Sequence, residues 1–480
     1  MTRPPNDFDV IVVGGGPGGS TAATLTAQEG HRVLLLDKET FPRYQIGESL
    51  LPATVHGICP MLGVSEELER AAFTRKHGGT FQWGANPEPW TFAFATSSRM
   101  AGPTSYAYQV ERTRFDNILL ENAARTGVDV RQGHRALGVL RAGDGRIVGV
   151  RFQDDAGHTR EAHSVHVVDA SGHGSRLHQA LAGKRAYSPF FRNLALFGYF
   201  LDAARMPEPN SGNILCVAFP SGWFWYIPLS ATLTSVGAVV RAELAASVRG
   251  DPEAAFRALV DECPMVKEYL TGAGRARTAP YDRLRVRKDW SYDRSELWGP
   301  GMVLVGDAAC FIDPVFSSGV HLATYSALLA ARSINTTLAG ELSEARSFGE
   351  FEARYRREFG LFHDFLVSFY TLHTDEESYF WRAREISGHR GSLREAFVDL
   401  VGGVLAGDFT RERSAPDEQF TAVMAESARL QLRSRLGAAA AWEPPMIPGG
   451  LVPSLTGCRW TEPRPARTPS TSDAMEGETP

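Results

Sequence analysis

At 480 residues, 43% of them hydrophobic and 22% charged, the chain can bury a large core and is long enough for two or three domains. A net charge of -5 gives no electrostatic reason to expect a nucleic-acid partner. No charge-free apolar run approaches the roughly 20 residues that a membrane span requires. The five cysteines (Cys59, Cys216, Cys263, Cys310 and Cys458) are scattered and form no C-x-x-C pair, so nothing in their spacing indicates a disulfide framework or a thiolate metal site. Together with a start that lacks the profile of a signal peptide, this leads us to expect a cytoplasmic protein without a metal.

Residues 8–37 read as one βαβ unit. Asp9–Val13 is a short β-branched run suited to a buried parallel strand, Gly14–Gly19 a tight loop, and Ser20–Gln28 a helix closed at Glu29-Gly30. Val33–Leu36 is the second buried strand and ends on Asp37. From 38 to about 115 come turns, short helices and an aromatic-rich segment, and residues 128–170 hold three strand-like runs split by the turn Ala142-Gly143-Asp144-Gly145. Between 186 and 290, alternating apolar and polar positions predict a half-exposed antiparallel sheet. Met302–Val305 is a further buried strand, with a long helix from about Ser318 to Leu338. Beyond 343 the pattern is helical and rich in phenylalanine, and the Pro-, Thr-, Ser- and Glu-rich end at 462–480 has almost nothing to bury and is expected to be disordered.

The first chemistry-bearing motif is Gly14-x-Gly16-x-x-Gly19. The first glycine permits a tight turn, the second lets backbone approach a pyrophosphate, and the third lets helix and strand pack closely. Such a triplet is weak evidence by itself. Here it follows a buried strand and opens a helix, and Asp37 ends the next strand, where a ribose hydroxyl needs an acceptor. That context points to a dinucleotide.

Three later segments narrow the choice: Val110-x-Arg112-x-x-Phe115-Asp116, Asp169-Ala170-Ser171-Gly172, and Gly306-Asp307 directly after the strand at 302–305. Each alone could be a cap or a turn. In this order they resemble the para-hydroxybenzoate-hydroxylase-like flavoprotein superfamily. The resemblance implies an α/β Rossmann-type FAD-binding fold with an antiparallel substrate sheet and a helical C-terminal region. It also implies that Asp307 holds the ribityl chain and that Arg112 lies beside the FAD. The corresponding domains are 1–185 for FAD, rejoined by 299–340, then 186–298 for the substrate sheet and 341–461 for the helical region, with 462–480 as a tail.

A narrower resemblance rests on Trp223-Phe224-Trp225-Tyr226-Ile227-Pro228, the W-x-W-x-I-P signature of flavin-dependent halogenases. On a strand Trp223 and Trp225 share a face and form a rigid apolar wall, which in that family keeps the organic substrate from the flavin. Two core tryptophans packing between sheet and helix would have the same spacing. Lys76, in Phe73-Thr74-Arg75-Lys76-His77-Gly78-Gly79, matches the family's essential lysine, whose amine presents electrophilic chlorine. Arg75 is a poorer candidate, since a guanidinium does not lose its proton. In Asp313-Pro314-Val315-Phe316-Ser317-Ser318-Gly319-Val320 the resemblance places chloride at Ser318 and Gly319, at the start of the long helix. An ordinary serine N-cap would look identical in sequence. Phe316 stands where tryptophan halogenases carry a glutamate that activates a non-phenolic ring, which suits a ring that activates itself.

The segments 41–52 and 321–335 look most like halogenases of glycopeptide-antibiotic and related nonribosomal pathways. That resemblance implies a tyrosine-like substrate held as a thioester on a peptidyl carrier protein, and reduced FAD supplied by a flavin reductase. Two alternatives stay open at this stage. A single-component aromatic hydroxylase using NAD(P)H would share the FAD motifs but needs neither the tryptophan wall nor Lys76, and a non-catalytic flavin-fold escort protein would not need an intact phosphate loop.

Overall fold

The computed structural model describes residues 8–463, apart from 86, 101, 242, 244–247, 249, 372–375, 390, 406–443 and 455. The tail expected to be disordered therefore lies, from residue 464 onward, outside the described residues. Strand β1 (Phe8–Val13), helix α1 (Pro17–Ala27) and strand β2 (Val33–Leu36) form the first unit. Helix α1 starts at Pro17 rather than Ser20. Proline suits a first helical turn, where its missing N–H is not needed, so the last glycines of the loop are already helical.

Strands run in the order Met302–Leu304, Thr159–Asp169, β1, β2, Asp129–Arg131, all parallel. The chain winds one way from β1 to β2 and the other way to 159–169, so the C-terminal ends of these two neighbours flank a topological switch point. Arg135–Arg141 and Ile147–Gln153 extend this sheet antiparallel to the start of 159–169, so the region 128–170 carries four strands and not three.

The second sheet is built on Arg185–Leu201, Leu233–Arg241, Gly222–Pro228 and Ile214–Phe219, each antiparallel to the next. Arg285–Arg294 pairs with the outer side of 185–201. It differs from expectation in two ways. Gly78–Gln82 and Trp90–Ala93, from the stretch read as turns within the FAD domain, continue it beyond 214–219. It is also buried on both faces. Leu196, Phe200, Phe224, Tyr226 and Val236 pack under Phe256, Leu259 and Val266 of two short helices, while Phe197, Cys216, Trp223, Trp225 and Val239 face the core shared with the parallel sheet. The strand 222–228 is apolar or aromatic at nearly every position, so neither side has a polar row to leave in water.

Helices Gly319–Leu338, Glu344–Thr371, Glu376–Ser387 and Leu393–Val401 complete the C-terminal part. A strand pair, Val452–Pro453 with Trp460–Thr461, closes a region that was expected to be helical to 461. Among the described residues all five cysteines are free and buried, and no helix is long and apolar enough to cross a membrane.

Candidate active site

A cavity of about 620 Å³ opens at the C-terminal ends of the parallel strands, running from Gly14, Gly16 and Asp37 past Gly306 and Asp307 to Trp223 and Trp225. The glycine loop divides its labour. A side chain on Gly14 (φ +108°) would drive into the Ala170 carbonyl, and one on Gly19 would overlap the Gly14 carbonyl, so both are demanded by backbone packing. A Cβ on Gly16 meets only Arg43, at 3.2 Å, and Gly16 borders the cavity. It is a cradle that a side chain would fill. The first turn of α1 carries no acidic residue and its N-cap Gly16 has no side chain to bond the free N–H groups, leaving them for an anion.

The Asp37 carboxylate accepts from Gly15 N at 2.6 Å and Glu39 N at 2.8 Å, which fixes it in the cavity wall with lone pairs to spare. Burial, offset by the charges of Arg112, Arg287 and Arg185, raises the Asp307 carboxyl to about 6. Arg112 borders the cavity too, but its donors are taken: Nε and Nη2 clasp Asp116 at 2.6 and 2.8 Å, and Nη1 reaches the Ile46 and Gly47 carbonyls at 2.6 and 3.1 Å. Its guanidinium pins the 46–47 segment over the cavity. The glycine cradle, the free helix N-terminus and the carboxylates at the strand ends fit a dinucleotide with two ribose-like arms.

At the far end Trp223 and Trp225 lie side by side, ring centroids 6.2 Å apart and inclined by 57°. The Trp225 indole N–H donates to Ser235 Oγ at 3.2 Å, while the buried Trp223 N–H has no partner. Next to them the turn at 313–319 is held by Asp313, which accepts from Val315 N at 3.1 Å, Asn193 Nδ2 at 3.3 Å and Tyr370 Oη at 2.9 Å. Ser317 adopts φ +60°, and Ser318 is right-handed helical with a buried hydroxyl that makes no cap bond and has no partner. An ordinary N-cap serine would be extended and would bond the first-turn amides. Ser318 therefore does not act as a cap. Gly319 borders the cavity, with open space where a Cβ would stand. Phe316 is stacked on Phe365 (5.2 Å) and edge-on to Phe369 (4.8 Å), with Phe81 at 6.0 Å.

Lys76 is not part of the cavity wall as it stands. The residue is 2% exposed, its amine donates to Ser49 Oγ at 2.8 Å and Leu50 O at 3.2 Å, and Ser49 does border the cavity. Lys76 is thus one hydrogen bond behind it. Burial pushes the amine down to about 7, so a large share of it is neutral and nucleophilic near neutral pH. Arg75 points the opposite way along the strand, exposed and stacked on Tyr106 at 4.6 Å.

Sequence reasoning missed Glu48. It is buried in the cavity wall and accepts from Tyr199 Oη at 2.7 Å through one carboxylate oxygen. The available signal was a carboxylate set in the run Ile46-Gly47-Glu48-Ser49-Leu50-Leu51, where an exposed acid has no apolar neighbours to answer. Among the described residues no group of three His, Cys, Asp or Glu side chains could hold a metal ion.

The family model for tryptophan halogenases matches residues 9–103 and 96–430. A tryptophan 2-halogenase of Chondromyces crocatus is 34% identical over 412 residues, which cover 84% of this chain and 76% of that protein. The flavin-dependent halogenase gsfI of Penicillium aethiopicum is 33% identical over 367 residues, 71% of this chain and 66% of that one. Among solved structures, the myxobacterial chondrochloren halogenase CndH, described as a new variant of FAD-dependent halogenases, is 52% identical with a TM-score of 0.77, covering 95% of this chain and all 100% of its own. The flavin-dependent halogenase CmlS is 29% identical with a TM-score of 0.72, over 96% of this chain and 84% of its own. With its cavity built for a dinucleotide and a tryptophan pair at the far end, the chain belongs to the tryptophan-halogenase family: it is a flavin-dependent halogenase, an enzyme that uses FAD, a separate flavin reductase and a halide co-substrate.

Proposed function

We propose that this halogenase chlorinates a phenolic, tyrosine-like ring presented as a thioester on a peptidyl carrier protein, in antibiotic biosynthesis. The observation that carries the ring chemistry is Phe316, which closes the turn beside the tryptophan pair with a phenyl ring locked among Phe81, Phe365 and Phe369. A carboxylate at that place would help a non-phenolic ring; a phenol supplies its own electron density once its proton is shared with a base. Tethering follows the resemblance to carrier-dependent halogenases. It would raise the ring's effective concentration and tolerate weak intrinsic affinity.

In this reading Gly14, Gly16 and Gly19 shape the pyrophosphate cradle, Asp37 takes a ribose hydroxyl, Asp307 takes the ribityl chain, and Arg112 holds the covering segment. Bound FAD, in its reduced form, would supply the two electrons that, with two taken from chloride, reduce O2. The amides at Ser318 and Gly319, with the unpartnered Ser318 hydroxyl, hold the halide, and the Trp223 and Trp225 indoles keep the organic ring away from the cofactor. Lys76 is the group that receives hypochlorous acid. Its neutral amine either accepts a hydrogen bond from the acid or takes chlorine from it with release of water, forming a chloramine.

Incubating the enzyme with a flavin reductase, NADH, chloride and each of free tyrosine, tyrosyl-S-carrier protein and free tryptophan, with products read by mass spectrometry, tests the proposal. Chlorination of the carrier-bound ring alone, or much faster, is the expected result. Equal or faster chlorination of free tyrosine refutes tethering, and preference for tryptophan, the substrate in the name of the Chondromyces relative, refutes the phenolic assignment.

A further inference from the structure

Halide oxidation consumes a proton. Two electrons from reduced FAD and two from chloride take up one O2, and the sum FADH2 + O2 + Cl− + H+ gives FAD, HOCl and H2O. One proton must therefore reach the closed end of the cavity in each turnover, and water is a poor courier through a wall of buried tryptophan, phenylalanine and valine.

Among the described residues, Glu48 is a buried acid suited to the task. Glu48 stands in the cavity wall with one oxygen outside the Tyr199 bond, and among the described residues it forms no ion pair, since the nearby Arg112 is bound to Asp116. Its bonded oxygen accepts from the Tyr199 hydroxyl at 2.7 Å, and the Tyr199 hydroxyl is 2.7 Å from that of Tyr44. Because Tyr199 donates to Glu48, Tyr44 donates to Tyr199. Tyr44 is half-buried, its ring covered by the Arg285 guanidinium at 3.8 Å. The result is an unbroken file of Tyr44, Tyr199 and Glu48, whose half-buried outer member, Tyr44, also borders the cavity.

We infer that Glu48 donates the proton consumed in halide oxidation and is reprotonated through Tyr199 and Tyr44. The Glu48 O–H bond breaks toward an oxygen in the cavity that derives from O2. The carboxylate then takes the Tyr199 proton as Tyr199 takes that of Tyr44, and Tyr44 is recharged from solvent. Both phenols sit above their ordinary range, chiefly through burial, so they pass a proton on without resting as phenolates. Burial raises the Glu48 carboxyl to about 7, against the lowering by the Tyr199 and Ser235 hydroxyls and by Arg112, with Glu111 adding to the rise. Tyr44 and Tyr281 are the other titratable groups facing it. The acid is thus present in quantity at neutral pH. The inference rests on the oxidation common to the family and not on which ring is chlorinated.

Infrared titration of the enzyme carrying oxidised FAD, for the wild type, Glu48→Gln, Tyr199→Phe and Tyr44→Phe, tests it apart from turnover. A carboxylic-acid C=O band should vanish with a midpoint near 7, be missing in Glu48→Gln, and shift to higher pH in Tyr199→Phe, which loses a bond that favours the carboxylate. Glu48→Gln should keep FAD affinity within a few-fold while kcat for chlorination falls about 100-fold. Tyr44→Phe should keep the band and lose turnover. An unchanged band in Glu48→Gln, wild-type turnover in that variant, or loss of its FAD would each overturn the assignment of Glu48 and leave the enzyme class untouched.

Discussion

Replacing Lys76 by methionine separates two properties of the buried amine, and the stability half of the experiment can be worked out beforehand. In the folded protein burial takes the amine from 10.5 down to about 7. That drop corresponds to about 5 kcal/mol of penalty on the charged form. Below pH 7 the amine is charged in both states, and folding bears the whole penalty. Between 7 and 10.5 only the unfolded chain is still protonated, so the penalty fades as pH rises through this window, and above 10.5 it is gone. Methionine has nearly the same length and no charge. It gives up bonds to Ser49 Oγ and Leu50 O, which returns part of the gain, about 1 kcal/mol for each bond. Lys76→Met should therefore be more stable than the wild type at pH 6 by a few kcal/mol, and the advantage should shrink or reverse by pH 10. Urea unfolding of both proteins at pH 6, 8 and 10 measures the gap. In parallel, Lys76→Met should bind FAD and reoxidise it normally while producing no chlorinated ring. A gap that does not change with pH would refute the neutral-amine argument, and near wild-type chlorination would remove Lys76 from the reaction altogether.

Gly16→Val should fold with little change in Tm and fail to retain FAD, because its side chain enters the cavity, whereas Gly19→Ala should lose at least about 2 kcal/mol of stability, because its methyl group meets the Gly14 carbonyl. Flavin absorbance and thermal melts of the two purified variants decide this, and a fully flavinated Gly16→Val would refute the cradle. Ser318→Ala should hold or raise Tm, since no cap bond is lost and a buried unpartnered hydroxyl is removed, while the chloride concentration needed for half-maximal rate rises. A loss of about 1 kcal/mol on denaturation would instead mark Ser318 as a cap. Phe316→Glu should destabilise the fold by more than about 3 kcal/mol, because an unpaired carboxylate would sit among Phe81, Phe365 and Phe369. A variant as stable as the wild type would mean that this aromatic cluster opens readily.

What could be read from the sequence were the places where chemistry dictates backbone. Gly14 and Gly19 are fixed by close approaches that a side chain would block, and Asp37 by its bonds from Gly15 N and Glu39 N, so their spacing carries much of the fold of the first unit. The strand 78–82 escaped notice because Gly78-Gly79 has little β propensity. In the structure Gly78 is needed for another reason: a Cβ there would strike the Phe92 carbonyl of the neighbouring strand. The two-sided burial of the central sheet was masked by local alternation at its flanks, since period-two patterning reports polarity and says nothing of helices packed later from elsewhere in the chain. Burial of Glu48 and Lys76 depends on contacts with Tyr199 and with Ser49 and Leu50, across separations that no local pattern spans. Ser318 is the sharpest case. Sequence offers a cap and an anion site equally, and the helical backbone at that residue removes the cap.

The helix Gly319–Leu338 behaves mechanically as a rod, about 30 Å long for its 20 residues. One tip is the turn at 313–319. Its flank lies against the nucleotide-binding helix, where Gly18 comes close to Ala323, and Asn335 bonds the Leu25 carbonyl at 3.3 Å. The other tip is clamped from the distant C-terminal segment: Arg332 Nε reaches Gly457 O at 2.6 Å, Asn335 Nδ2 reaches Cys458 O at 3.0 Å, and Trp460 is bonded through both its nitrogens to Thr336 and Ser333 at 2.8 Å. A lever gripped at one end transmits small rotations to the other, so a rotation of a few degrees at Trp460 corresponds to more than about an ångström at the turn 313–319. If the halide sits at this turn as proposed, its distance from the cofactor is set in part by residues that touch neither, and trimming the chain before Leu451 would detune halide oxidation from the opposite end of the molecule.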